Sequence, residues 1–186
     1  DGLIKERIRD TEASRALGAL PEEPKDPGAP AALARQVGEA ERAPSPAAAK
    51  LAYTQALRTM PRHWETRVNL AELTIKADPL SEEAEKELSI VIAASRDPKH
   101  GVSEATLLRA RLLRGRICRS RLKPIDSYLA TADLWAVKTA GDFASPSEEV
   151  GVLGDLAYVY AVQGDTGAAM AALTAAEKKS ADGDDL

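Results

Sequence analysis

The side chains that could do chemistry in this sequence are few and scattered, apart from one basic run. Two histidines, His63 and His100, stand far apart and do not make a zinc site by themselves. Cys118 is the only cysteine, so no internal disulfide is available, and no histidine lies close to it in sequence to draw off its proton. Glycine-rich phosphate loops, His-x-x-x-His pairs and Gly-x-Ser-x-Gly elbows are missing from the sequence. These readings argue against an enzyme, and they predict neither metal nor cofactor.

The basic run is the exception. Between residues 101 and 125 stand Arg109, Arg111, Arg114, Arg116, Arg119, Arg121 and Lys123 against one acid, Glu104. At about 100° per residue, Arg109, Arg116, Arg119 and Lys123 gather on one side of a helix and Arg111, Arg114 and Arg121 on another. The planar guanidinium fork suits carboxylate or phosphate, so the run is a candidate site for an anion or an acidic partner. A competing reading lays the arginines along two apolar strips, Ala110 with Leu113 and Ile117, and Leu108 with Leu112, where they pair with acids of adjacent helices. Nucleic acid is disfavoured, because net charge is −4 and that helix offers no aromatic ring to stack on a base.

The elements that must carry these residues are helices. The chain is 44% hydrophobic but only 4% aromatic and is rich in alanine, which favours helix over sheet. No apolar run approaches the ~18 residues of a membrane span. Residues 3–20 read as an amphipathic helix, and the proline-rich stretch 21–30 as an extended linker that leaves the first helix loosely held. Helices are then predicted over 31–42, 47–60, 62–77, 82–96, 103–122, 125–140, 150–163 and 165–179. Most of the breaks between them fall at Pro44, Pro61, Pro79, Pro98 and Pro124. Ser45-Pro46 and Ser145-Pro146-Ser147-Glu148 are start signals, Ser81 and Asp165 are caps, and Gly141 and Gly164 are stops. Residues 181–186 read as a frayed acidic tail.

The last predicted pair carries an ordered set of residues: Leu156-Ala157, Tyr160, Gly164-Asp165, Ala169, Leu173 and Ala176. It resembles the tetratricopeptide repeat, a helix–turn–helix unit of about 34 residues. Ala169 and Ala176 would let neighbouring backbones approach, while Tyr160 and Leu173 would fill the gap between them. Ala49, Tyr53, Ala56 and Pro61 match upstream, followed by Leu70-Ala71 with Ala84, Leu88 and Val91, although Thr74 replaces the usual tyrosine. Ala130, Leu134 and Val137 form a poorer third match. Of the intervals between Ala49, Ala84, Ala130 and Ala169, only the first is near the family period.

The resemblance covers residues 31–180. It implies an all-α solenoid of about four stacked antiparallel helix hairpins in a right-handed superhelix, with a concave groove lined by the first helix of each unit. Carried over position by position, it implies groove-facing Val68, Asn69, Glu72 and Lys76 in the second unit. In the last unit it implies Gly151, Gly154, Asp155 and Tyr158. Asn69 stands where some family members hold a partner's terminal carboxylate, but Ala34 and Gly38 occupy slots where the matching basic residues would be. Trp135 is expected in the core, His63 and Trp64 as a packing pair at a helix entry, and Cys118 as a small buried hydrophobe. Gly151 and Gly154 are expected at a close helix contact, with backbone approach by a ligand as the alternative.

The function so implied is noncatalytic: a scaffold or adaptor that takes a partner peptide or helix in its groove, with Arg109, Arg116 and Arg119 as further binding residues. A self-associating structural subunit, with residues 3–20 docked on a neighbouring copy, and an anion binder are the alternatives. An irregular helical bundle is the alternative fold. The chain opens at Asp1 without a methionine or visible signal peptide. It reads as an excised domain, or as a chain that has lost an upstream segment, with a lean toward the bacterial envelope or periplasm.

Overall fold

The computed structural model describes residues 2–121 and 123–183. Among the described residues the protein is entirely helical: α1 (Gly2–Gly18), α2 (Ala29–Glu41), α3 (Pro46–Thr59), α4 (Trp64–Ala77), α5 (Glu82–Ala94), α6 (Glu104–Ser120), α7 (Pro124–Ala140), α8 (Pro146–Gln163) and α9 (Thr166–Gly183). A single 3-10 turn covers Pro98–His100. Consecutive helices pack on one another: α2 on α3, α3 on α4, α4 on α5, α7 on α8 and α8 on α9. The helix over 103–122 is shorter than predicted, and Leu122 lies outside the described residues. The final helix runs past residue 181 to Gly183, and the rest of the predicted acidic tail, 184–186, lies outside them too.

Helix starts and stops follow local chemistry. Ser45, Ser81 and Ser145 each accept a hydrogen bond from the backbone N–H three residues on, which satisfies one orphan donor of α3, α5 and α8. Glu148 reaches back to the Ala144 N–H at 2.8 Å, so both sides of the α8 entry are held. His63 caps α4 through Nδ1, which accepts from Thr66 N. At the far ends, α7 and α8 stop at Gly141 and Gly164 with φ of 68° and 80°, a conformation that costs a side-chain-bearing residue strain.

The chain divides into two compact units, Arg7–Ala110 and the segment from Arg111 onward joined by the first few residues; α6 contributes to both. In the first unit the core is built from Ala40, Ala52, Tyr53 and Leu70, with Val37, Leu57 and Leu73 packed against them. Trp64, Val68, Leu88 and Val91 are buried as well. Trp64 donates from Nε1 to the His100 carbonyl at 2.5 Å and meets the His100 ring edge-on. Arg67, almost fully buried, donates from Nε and Nη2 to the Pro61 carbonyl and from Nη1 to Glu87. It thereby satisfies a carbonyl that follows the end of α3.

The first helix is not loosely held. Ala13 is buried, Arg9 pairs with Glu85 at 3.4 Å, and Asp10 pairs with Arg96 at 2.6 Å. The proline-rich stretch is anchored too: Glu23 accepts from the Arg62 N–H at 2.7 Å, and α2 begins at Ala29 rather than 31.

In the second unit Ile117, Leu134, Val152, Leu156 and Val159 are the large buried side chains, and Cys118 is buried among the helices as expected. Ala169 and Ala176 are buried on α9, but Leu173 is 44% exposed. The buried face of α9 is Ala169, Ala172 and Ala176, and Leu173 falls outside that arc. Trp135 is likewise 49% exposed rather than core. It lies one heptad from exposed Tyr128, on the side of α7 opposite the buried Ala130, Leu134 and Val137, with Lys138 Nζ 4.2 Å from its ring.

Candidate functional site

The predicted site residues fall into one cluster in each unit. In the first unit, α4 is covered on two sides. Trp64, Arg67, Val68 and Ala71 face inward along one stripe and Thr66 and Leu70 along a second, so only a narrow arc carrying Glu65, Asn69, Glu72 and Lys76 remains. Val68, expected on the groove, is therefore fully buried. Arg109 of α6 lies across the open arc: Nη1 donates to Asn69 Oδ1 at 2.7 Å and Nη2 to Glu72. Lys76 pairs with Glu72 from the next turn at 3.2 Å.

Two cations, Arg109 and Lys76, thus meet one carboxylate. Burial pushes the Glu72 carboxyl upward, but hydrogen bonds and attraction from Arg109 and Lys76 outweigh it and hold the group below its ordinary value. Burial, assisted by the negative charge of Glu41, pushes the Tyr53 hydroxyl up.

The second unit carries the other cluster. On α8, Gly151, Gly154, Asp155 and Tyr158 recur within one face of the helix. Asp155 is buried rather than presented to a partner, and two guanidinium groups from α6 share it. Arg116 Nε donates to Oδ2 at 3.0 Å and Arg119 Nη1 to Oδ1 at 2.5 Å. Arg119 also sits 5.5 Å from the centre of the Tyr158 ring, and that ring is 42% exposed.

The two glycines differ in their surroundings. A Cβ at position 151 would stand 3.5 Å from Arg116 Nη2, an ordinary contact, so the guanidinium lies over α8 beside this glycine without requiring it. Gly154 has nothing within 4 Å of where a Cβ would be, so no close helix contact explains it.

The close approach occurs at a glycine that the spacing argument did not single out. A Cβ on Gly115 of α6 would lie 3.0 Å from Leu134 Cγ on α7. Beside it, Arg114 and Asp133 form a buried two-bond pair, Nε to Oδ2 at 2.7 Å and Nη2 to Oδ1 at 2.9 Å. A glycine amid arginines on an otherwise well-formed helix was the available signal. Arg109, Arg114, Arg116 and Arg119 thus all meet carboxylates of neighbouring helices, as the pairing reading of the basic run expects.

Among the described residues there is no group of three or more His, Cys, Asp or Glu side chains placed to hold a metal ion. No described helix is long and apolar enough to cross a membrane. Comparison of the chain with protein-family models, with curated proteins and with solved structures finds no match to any of them.

Proposed function

We propose that this protein is a noncatalytic binding scaffold of tetratricopeptide-like helical hairpins, and that the α8 face bearing Gly151, Gly154 and Tyr158 receives a partner protein. The observation that carries this reading is Gly154. Glycine inside a helix costs about 1 kcal/mol relative to alanine, and here the space above it is open, so no packing contact among the described residues offsets that cost. Close approach by a second backbone would. The exposed Tyr158 ring and the arginines beside it are of the types that concentrate binding energy at protein interfaces. Sequence-neighbour packing of helices, with Ala169 and Ala176 buried, supports the hairpin architecture.

Tyr158→Ala tests the reading, with Trp135→Ala on α7 as the control for loss of an exposed aromatic. The full chain serves as bait in quantitative affinity capture, and any protein that depends on Tyr158 is then purified and titrated. The expected outcome is a partner whose recovery falls about tenfold with Tyr158→Ala, the scale of a hot-spot residue, and holds with Trp135→Ala. Identical recoveries from all three chains would reject the assignment of this face.

A further inference from the structure

Resting on that binding reading, we infer the chemistry of what the face accepts: a side-chain carboxylate from an acidic segment of the partner, seated between Arg116 and Arg119 with the partner backbone over Gly154. Asp155 takes one N–H from each guanidinium. Each guanidinium carries five donors, so most of the hydrogen-bonding capacity of both is not taken up by Asp155. The Arg116 and Arg119 side chains are 41% and 35% exposed, and Arg119 Nε is buried with no acceptor.

Charge points the same way. Two cations around one carboxylate leave a single positive charge. Two other acids of the unit have cations of their own: Glu149 pairs with Lys179 and Asp133 with Arg114. A monoanion closes that balance. A phosphate dianion would leave negative charge in excess beside the buried Asp155.

The geometry favours a planar acceptor. The Tyr158 ring lies against the Arg119 guanidinium, and Arg116 reaches the same carboxylate beside Gly151. Forked donors so held match a carboxylate's two oxygens. The bare helix surface at Gly154 then admits the chain that carries it.

The test uses the full 15N-labelled chain at low salt. The probes are a capped alanine-rich helical peptide with glutamate at every fourth position and its glutamine counterpart. The glutamate peptide should shift the Gly151 and Gly154 amide signals and bind about tenfold tighter than the glutamine one. Gly154→Gln, whose Cβ has open space, should weaken it by a similar factor, and Asp155→Asn should tighten it by removing the resident competitor. Equal binding of the two peptides overturns the inference, as does a site shift of the same size from sodium acetate or inorganic phosphate alone. A partner that depends on Tyr158 but is indifferent to losing its own acids would remove the carboxylate while leaving protein binding in place.

Discussion

The same substitution, glycine to alanine, should have opposite effects at two helix positions of the second unit. At Gly115 the new methyl would meet Leu134 Cγ at 3.0 Å and Cδ2 at 3.2 Å, with Asp133 Cβ at 3.5 Å. Leu134 is fully buried and Asp133 is tied to Arg114, so neither neighbour has free space to enter. Overpacking of this kind costs about 1–3 kcal/mol. The gain in helix propensity returns about 1 kcal/mol of that, for a net loss of up to about 2 kcal/mol.

At Gly154 only the propensity gain applies, because the space there is empty, and the protein should be about 1 kcal/mol more stable. Propensity cancels between the two variants, so their difference isolates the packing cost. Urea unfolding followed by helical circular dichroism, with equal slopes required, measures both. If Gly115→Ala proves as stable as Gly154→Ala, the backbones of α6 and α7 do not approach as described and the argument fails.

Two further outcomes follow from the ion pairs. Asp133→Ala takes the two-bond carboxylate away from the buried Arg114 and should cost about 3–5 kcal/mol in the same unfolding experiment, whereas replacing both residues by apolar ones of similar volume should recover most of the loss. Glu72 has a folded-state value held below its usual 4.5, so its contribution is present above that value and lost as pH falls through the lower folded one. The stability gap between wild type and Arg109→Gln should therefore narrow as solutions are acidified below about pH 4.5 and the Glu72 carboxyl protonates; a gap that does not narrow on acidification would show that the Arg109–Glu72 pair does not set it.

Element boundaries were legible because they rest on short-range chemistry. Ser45, Ser81 and Ser145 cap helices wherever a serine precedes the first turn, and Gly141 and Gly164 stop them where φ must be positive. Which face of each helix is covered was harder to read, since it depends on how many neighbours the helix has. Val68 reads as groove-facing on a helix packed from one side, but α4 is covered from two, which narrows its open arc to Asn69 and its neighbours. Trp135 and Leu173 show the reverse error: large apolar residues expected inside, on helices whose buried arcs are filled by smaller or differently placed side chains. The arginine run was visible as a feature, yet its partners Glu72, Asp133 and Asp155 come from other helices, and spacing along one helix does not identify them.

The prolines have a consequence for exchange of helices between copies of the chain. Hairpin proteins swap elements when a connection straightens and two helices fuse into one rod. Here every junction from α1 through α8 carries a proline, either within the connection or, at Pro124 of α7 and Pro146 of α8, as the first residue of the next helix, and a proline within a fused helix would cost about 3 kcal/mol. The α8–α9 connection lacks one; it turns on Gly164 alone, whose left-handed conformation would relax on straightening. Helix exchange by this chain would therefore open at Gly164, and a proline introduced at that turn would close the last route.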